Sequence, residues 1–286
     1  EGRVFMATSS PAALHKCTED SKFKKTSIET FDEAIKRFGL FYRSRFESNN
    51  CFLLYTKTVD VRIQAGPSCG LVALRMGGEY LEGNVNRQDT FKDLLDRAKA
   101  KGFSKQGEMF NAQHMATLAA EYYGLNPTVV EGNEFSAANV LRSLSQNQLM
   151  LVPYDTDANS SPGTHNGHRA HWALITGFLF PLSEPQQSVF KHHATHVVSR
   201  YNATFICTDT LPDEVMNGAH ILEEQLFVVC RQSKSKWAAI WPLSDLTKSN
   251  RNLKEAPPDK LAEKTYVMPK TLEDLCSKAV VLSKTL

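Results

Sequence analysis

The sequence lacks the features that mark several large classes of protein. It has no apolar run of about 18 residues, the length needed to span a membrane, and residues 1–10 lack the basic and apolar regions of a secretory signal. Its six cysteines show no Cys-x-x-Cys spacing, which argues against a disulfide framework or a zinc knuckle. Lys and Arg number 33 against 31 Asp and Glu, and neither sign forms a long block. A membrane anchor, a metal site and a nucleic-acid surface are therefore not predicted, and we expect a cytoplasmic protein.

Apolar periodicity divides the chain into a helical first half and a second half rich in strands. Helical spacing predicts helices over residues 27–39, 69–78, 90–100 and 115–122, each with a glycine at or near its end. Short apolar runs predict a strand at 51–55 and a mainly antiparallel sheet from strands at 149–154, 171–180, 203–208, 226–230 and 237–241. Polar connections over 155–170 and 181–200 are predicted to be loops, residues 265–268 a strand and residues 272–286 a helix. The predicted fold class is α+β, with a helical part packed on an antiparallel sheet.

Residues 64–70 carry the residue types of a nucleophilic site. Cys69 stands where a loop containing Gly66 and Pro67 gives way to an apolar helix, and the positive end of a helix favours thiolate over thiol. Gln64 can direct its side-chain amide at the oxygen of an attacked carbonyl if the loop folds back. A lone cysteine before a helix is more often a small buried hydrophobe. The prediction of a nucleophile therefore depends on a partner elsewhere in the chain.

A histidine at the start of a predicted strand can supply that partner. His171 begins the run His-Trp-Ala-Leu-Ile-Thr-Gly directly after a polar loop, where a side chain can face an open cleft. A histidine in this position can act as the general base for a thiol donated by a helix. The two residues of such a pair meet only in space, so a wide separation along the chain is compatible with a papain-type site. Gln64, Cys69 and His171 together predict a cysteine hydrolase.

Several segments resemble the actin maturation protease family, which is similar to the C39 group of bacteriocin-processing peptidases. They are Gln-Ala-Gly-Pro-Ser-Cys-Gly-Leu-Val-Ala-Leu (64–74), Gln-Gly-Glu-Met-Phe (106–110), Pro-Tyr-Asp (153–155), Gly-His-Arg-Ala-His-Trp-Ala (167–173), Ser-Lys-Ser-Lys-Trp (233–237), Trp241 and Ser249-Asn250. The resemblance covers roughly residues 50–270. It implies a papain-like, C39-type peptidase domain over 51–270, preceded by a lead-in and helix over 1–50 and followed by a tail over 271–286.

The resemblance also implies a cysteine aminopeptidase that removes the N-acetylated Met or Cys from the N-terminus of immature actin. Cys69 would be the nucleophile and His171 its base, and Gln64 would complete the oxyanion hole with the backbone amide of Cys69. No cofactor is implied. Arg169, two residues before His171, is the predicted contact for acidic residues of the actin terminus. Vertebrate members carry a proline-rich N-terminal segment associated with profilin binding, and its absence here puts a profilin partnership in doubt.

The sequence allows three arrangements at the third catalytic position and more than one function. If the next core strand after the histidine strand is 226–230, Gln232 could orient the imidazole of His171. If it is 203–208, Asp209 directly follows that strand and is the candidate. The site could also work as a dyad without a third residue. A papain-like hydrolase with another protein substrate and a non-catalytic actin-binding module are the alternative functions. A metal protein built on His165, His168 and His171 is a third.

Overall fold

The computed structural model of the chain describes residues 22–46, 50–83, 91–211 and 223–285, so most of the predicted lead-in lies outside the described residues. The helices are α1 Ser27–Tyr42, α2 Cys69–Glu82, α3 Phe91–Ala100, α4 Ala112–Tyr123, α5 Ala137–Ser145, α6 Glu184–His192, α7 Leu243–Arg251 and α8 Pro258–Glu263. The strands are β1 Lys22–Phe23, β2 Asn50–Thr56, β3 Val61–Arg62, β4 Leu125–Glu131, β5 Leu149–Thr156, β6 Pro162–Gly163, β7 Ala170–Pro181, β8 His196–Arg200, β9 Ala203–Thr208, β10 Phe227–Gln232, β11 Ala239–Pro242 and β12 Lys278–Lys284. The predicted α+β class is confirmed.

Within the described ranges, strand β7 lies at the centre of a ten-stranded, mainly antiparallel sheet. It pairs antiparallel with β5, with β10 and, in its second half, with β2. The β2–β9 pair is parallel. Helix α2 packs on β7, with Gly77 against Leu174. The helix that begins at Cys69 and the strand that carries His171 therefore form one packed unit.

Helix α1 covers a second, smaller core on which aromatic rings converge. Phe38 lies 5.1 Å from Phe52 and 5.2 Å from Phe227, measured between ring centroids. The helix begins with a capping box between Thr26 and Glu29. A buried ion pair adds to the contact, because Nη1 of Arg231 lies 3.2 Å from Oε1 of Glu33. Residues 27–42 are thus part of the folded body.

Three glycines expected near helix ends lie inside the helices instead. Helix α1 continues past Gly39 to Tyr42, and α2 continues past Gly77 and Gly78 to Glu82. A Cβ atom on Gly78 would lie 2.6 Å from the ring of Tyr123, and one on Gly77 would lie 2.9 Å from Leu282. These glycines allow close packing of neighbouring elements, so the prediction that they end the helices was wrong. The predicted end of α4 at Gly124, which has a φ of 62°, is confirmed.

The prediction of a helix over residues 272–286 was also wrong, because β12 lies there. The strand pairs with both β4 and β5 and so lies inside the sheet. Its residues Ala279, Val280, Val281 and Leu282 are all buried, as expected of a strand covered on both faces. The division into a lead-in, a domain over 51–270 and a tail stays a prediction, and the predicted tail contributes this inner strand.

Two other connections differ from expectation. Residues 181–200, predicted to be a polar loop, contain α6 and β8. Residues 265–268, predicted to be a strand, form none. Within the described ranges no helix combines the length and apolar character that crossing a bilayer requires.

Candidate active site

The N-terminus of α2 presents its first backbone amides without a side-chain cap. Ser68 occupies the N-cap position, but its hydroxyl donates to the carbonyl of Ala65 at 2.9 Å and does not cap the helix. The thiol of Cys69 is within hydrogen-bonding reach of the backbone of Gly70 and of Trp172. Trp172 belongs to β7 and directly follows His171. The thiol therefore lies between the start of the helix and the start of the histidine strand.

The environment of Cys69 favours the neutral thiol in the resting protein. Burial raises the pKa of the Cys69 thiol, and the backbone hydrogen bonds with Trp172 and Gly70, together with the charge of Lys234, lower it by less. The expectation that the helix terminus favours the thiolate is thus corrected, since desolvation outweighs the helix amides here. A thiol in this state needs a base in order to attack.

His171 is buried and neutral. Its side chain sits beside Tyr154 of β5, with ring centroids 5.7 Å apart and planes at 82°. Burial lowers the pKa of the imidazole to about 3, and the positive charge of Lys234 acts in the same direction. The imidazole is therefore unprotonated at physiological pH and has a site for the thiol proton, but a base with so low a pKa holds that proton more weakly than one that titrates near neutral pH. Its Nε2 atom is buried with no hydrogen-bond partner among the described residues.

Gln64, Cys69 and His171 line one small cleft. Its volume of about 170 Å³ is below the roughly 300–1,000 Å³ of sites that enclose drug-sized ligands. Four apolar side chains, which we call the apolar wall, line the same cleft: Met109, Phe110, Tyr266 and Met268. Its charged lining residues are Lys234, Lys260 and Glu108. The indole Nε1 of Trp172 donates to the carbonyl of Met109 at 2.9 Å and ties the wall to β7.

The side chain of Gln64 is held at both ends. Its Oε1 accepts from the hydroxyl of Ser233 at 2.6 Å, and its Nε2 donates to the carbonyl of Gly66 at 2.7 Å. The backbone N–H of Gln64 also donates to the carbonyl of Ser233 at 2.9 Å. The amide nitrogen carries a second hydrogen, which these contacts do not use. The sequence-predicted Gln64, Cys69 and His171 are therefore brought together.

Comparison with known proteins gives a family. A family model described as "Actin maturation protease-like, C-terminal domain" matches residues 59–179. The actin maturation protease of Danio rerio is 33% identical over 252 residues, which cover 86% of this chain and 78% of that protein. The actin maturation protease of Xenopus tropicalis is 29% identical over 272 residues, 91% of this chain and 83% of that protein.

The chain belongs to the actin maturation protease family. Membership makes it a peptidase. Among solved structures, a C39-like peptidase from Bacillus anthracis aligns with 77% of this chain and 90% of its own, at 11% identity and a TM-score of 0.38. That similarity is too low to support any statement about mechanism.

A buried carboxylate missed by the sequence analysis fixes the cleft of this family member. Glu108 is 3% exposed. It accepts from the backbone N–H groups of Lys105 and Gln106, both at 2.7 Å, and from that of Val267 at 2.8 Å. It thereby joins loop 104–110 to segment 264–268, the two pieces that carry the apolar wall. The segment Gln-Gly-Glu-Met-Phe was recognised as a family motif, but its connection to residue 267 could not be predicted from the sequence.

The described side-chain hydrogen bonds of the two residues considered for the third catalytic position go to partners other than His171. Oδ1 of Asp209 accepts from Oγ1 of Thr195 at 3.2 Å, and β2 separates its strand β9 from β7. Gln232 is the last residue of β10 and pairs with Ala173, but its Oε1 accepts from the backbone of Lys234 at 3.0 Å. The contact described for the His171 ring is the one with Tyr154, so the third catalytic position, including the dyad alternative, stays a prediction.

The loop before His171 is more ordered than a polar connection would suggest. Asp155 is fully buried, and its carboxylate accepts from the backbone N–H groups of His165, Gly167 and Arg169. The Arg169 side chain is exposed, and it is not one of the described residues that line the cleft. His165 contacts Asp157 at 2.7 Å and His168 contacts Glu255 at 3.3 Å. Across the described ranges no three His, Cys, Asp or Glu side chains form a metal-binding group.

Proposed function

We propose that the chain is a cysteine aminopeptidase that removes the N-acetylated Met or Cys from the N-terminus of immature actin. The observation that carries the proposal is the cleft in which Cys69, His171 and Gln64 meet at the N-terminus of α2. The names of the relatives supply the substrate, and the chemistry of the cleft supplies the mechanism. A cytoplasmic location follows as part of the same proposal.

The first half of the reaction forms a thioester. The neutral imidazole of His171 takes the proton of the Cys69 thiol as the sulfur attacks the carbonyl carbon of the acetylated residue, and the carbonyl π pair moves to oxygen. The second N–H of the Gln64 amide and the backbone N–H of Cys69 are the proposed donors to that oxyanion. When the intermediate collapses, the C–N bond breaks and the departing amine of actin takes the proton from His171.

The second half releases the acetylated amino acid. Water attacks the thioester carbon and gives its proton to His171, and the same donors hold the second oxyanion. The C–S bond then breaks, and the Cys69 sulfur recovers its proton from His171. The balance is one peptide bond and one water converted into an acetylated amino acid and a new amine terminus on actin.

The shape of the cleft supports removal of a single residue. Met109, Phe110, Tyr266 and Met268 offer an apolar surface for a thioether or thiol side chain. Nε2 of Gln106 donates to the carbonyl of Thr265 at 3.1 Å, which together with Glu108 closes the gap between the two wall segments. We propose that this joined wall closes one end of the cleft and so stops a longer chain from extending past the acetyl group.

The two lysines of the cleft suit an acidic terminus, because the third charged lining residue, Glu108, is buried and already accepts from three backbone N–H groups. Lys234 and Lys260 line the cleft, and we also propose that Arg169 contacts acidic residues of actin from outside it. The proposed contact of Arg169 with actin is contradicted if charge reversal at Arg169 leaves the cleavage of immature actin unchanged at both low and high salt.

The test uses actin that carries an acetylated, unprocessed terminus. The purified chain should shorten it by one residue, read by intact mass, and Cys69→Ala should leave it intact. Cys276→Ala is the matched control, because Cys276 is also a free, partly exposed cysteine but does not line the cleft. It should keep full activity.

Three outcomes would contradict the proposal. If the wild-type chain leaves actin intact but hydrolyses another blocked peptide, the chain is a papain-like hydrolase with a different substrate. If it binds actin without cleavage of any substrate, it is a binding module on the same fold. If Cys69→Ala cleaves as fast as wild type, the assigned nucleophile is wrong.

A further inference from the structure

Ser233 is buried at the back of the proposed oxyanion hole. It directly follows β10 and is fully shielded from solvent. It contacts Gln64 twice, through its hydroxyl to Oε1 at 2.6 Å and through its carbonyl to the backbone N–H at 2.9 Å. These two contacts allow Ser233 to fix the orientation of the Gln64 side chain.

The two ends of the Gln64 amide are distinguished by their partners. The carbonyl of Gly66 can only accept, so the amide end that faces it at 2.7 Å must be the nitrogen. The oxygen end then faces Ser233, whose hydroxyl can donate. A rotated amide would put two oxygens together at Gly66, and the Ser233 hydroxyl would have to reverse as well. The observed arrangement leaves one hydrogen of Nε2 for an oxyanion.

Ser233 also connects the two halves of the site. Gln232, the residue before it, pairs with Ala173 on the strand that carries His171. Lys234, the residue after it, lines the cleft. The position of Gln64 is therefore tied through Ser233 to the same strand that places the base.

We propose that Ser233 is a positioning residue that fixes the amide of Gln64 with its N–H toward the reacting carbonyl. The inference rests on the proposed function, since it assigns Gln64 to the oxyanion hole. Ser233 itself is fully buried and is not one of the described residues that line the cleft. Its loss should weaken oxyanion binding and leave the thiol as reactive as before.

The test measures binding of N-acetyl-methioninal, an aldehyde whose carbonyl carbon can bond to Cys69 and so place an oxyanion-like oxygen in the hole without actin. Ser233→Ala should weaken its affinity about tenfold, a fraction of the roughly 100- to 1,000-fold loss in rate when an oxyanion donor is removed. In a Gln64→Ala background, Ser233→Ala should cause no further loss. Alkylation of Cys69 by iodoacetamide, which forms no oxyanion, should stay at the wild-type rate in every variant.

Ser235→Ala is the matched control, because Ser235 lies in the same turn but its hydroxyl accepts from the backbone of Trp237 at 3.1 Å. It should bind the aldehyde as wild type does. Should Ser233→Ala fail to fold, Ser233→Cys keeps a weaker donor of similar size and should show a smaller loss in the same direction.

Each remaining outcome decides the inference. Unchanged aldehyde affinity in Ser233→Ala overturns it, and so does a loss that persists in the Gln64→Ala background or a wild-type chain that binds no aldehyde. A chain that shows the expected aldehyde pattern but leaves actin unprocessed supports the role of Ser233 and overturns only the proposed substrate.

Discussion

Glu108, which lines the cleft, and Asp155, which lies under the loop before His171, are both buried carboxylates, but the groups they bind lie at very different distances along the chain. Asp155 accepts from the backbone of Gly167 at 2.8 Å and of Arg169 at 2.9 Å, within the loop that joins β5 to β7. Glu108 accepts from the neighbouring Lys105 and from Val267, which lies 159 residues further along the chain. One carboxylate closes a local loop, and the other joins distant segments.

The two sets of contacts predict that one part of the site opens more easily than the other. The loop before His171 is closed by two paired strands as well as by Asp155, so the base should stay in place as long as the sheet does. The apolar wall joins loop 104–110 to a segment without strands at 264–268, and the described hydrogen bonds between the two involve the side chains of Lys105, Gln106 and Glu108. Local opening occurs where such contacts are few. The wall should therefore open before the catalytic pair separates.

Replacement of Asp155 should have the largest effect on stability. Asp155→Ala leaves buried backbone N–H groups without acceptors, and we expect the free energy of unfolding to fall by about 3 kcal/mol. Urea unfolding measures the change. The control is Asp157→Ala in the same loop, where the side chain is 49% exposed and a loss below about 1 kcal/mol is expected. If both variants lose the same free energy of unfolding, the buried contacts of Asp155 contribute no more to stability than the exposed ones of Asp157.

Replacement of Glu108 should cost less stability but alter the cleft. We expect Glu108→Ala to lower the free energy of unfolding by about 2 kcal/mol and to raise hydrogen exchange at residues 264–268 while exchange around His171 stays slow. Glu121→Ala is the control, since that side chain is 43% exposed and pairs with Lys101. If residues 165–171 exchange as fast as the wall in Glu108→Ala, the two loops are not independent.

The pH dependence of Cys69 alkylation tests the state of the catalytic pair. Because burial raises the pKa of the thiol and lowers that of His171 to about 3, the thiolate is scarce at neutral pH. The rate should rise about tenfold per pH unit through neutrality. The unfolded chain, whose thiol titrates normally, is the reference and should level off at lower pH. A plateau between about pH 5 and 7 in the folded chain would indicate a thiolate–imidazolium pair instead.

Removal of Lys234 should have the smallest effect. Its positive charge lowers the pKa of the thiol, so Lys234→Ala should raise that pKa and slow alkylation of Cys69 at fixed pH by about two- to threefold at low salt. The charge is exposed, and the difference should shrink as salt is added. Lys236→Ala, whose side chain lies 5.2 Å from the Trp237 ring, is the control. Equal slowing by both variants would point to general surface charge.

The elements predicted correctly from the sequence are those whose signals are local. Strand β9 has the expected bounds, and α4 ends at Gly124 because a left-handed residue there carries its own signal. Strand β12 was mistaken for a helix, since a short run buried on both faces has no period that separates the two. Its partners β4 and β5 are more than a hundred residues away, and nothing in the local sequence identifies them.

The same limit applies to the candidate site. Gln64 and Cys69 lie five residues apart and could be linked from the sequence alone. The prediction that His171 would join them depended on its position at the start of a strand. Lys234, Glu108 and Tyr266 lie in three segments that only the folded chain brings together. The raised pKa of Cys69 was missed for a different reason. The start of the helix, which lowers the pKa of a thiol, can be read from the sequence, but the burial that raises it is set by packing in the folded chain.

The position of β12 between β4 and β5 affects how the protein is made. Synthesis runs from the N-terminus, so β4 and β5 both leave the ribosome long before the strand that separates them. Until β12 is made, each of the two has an edge without its final partner, and open strand edges can pair with other chains. Segment 264–268 is also made late. A nascent chain therefore passes through a stage in which its sheet is prone to aggregation and its cleft has only part of the apolar wall.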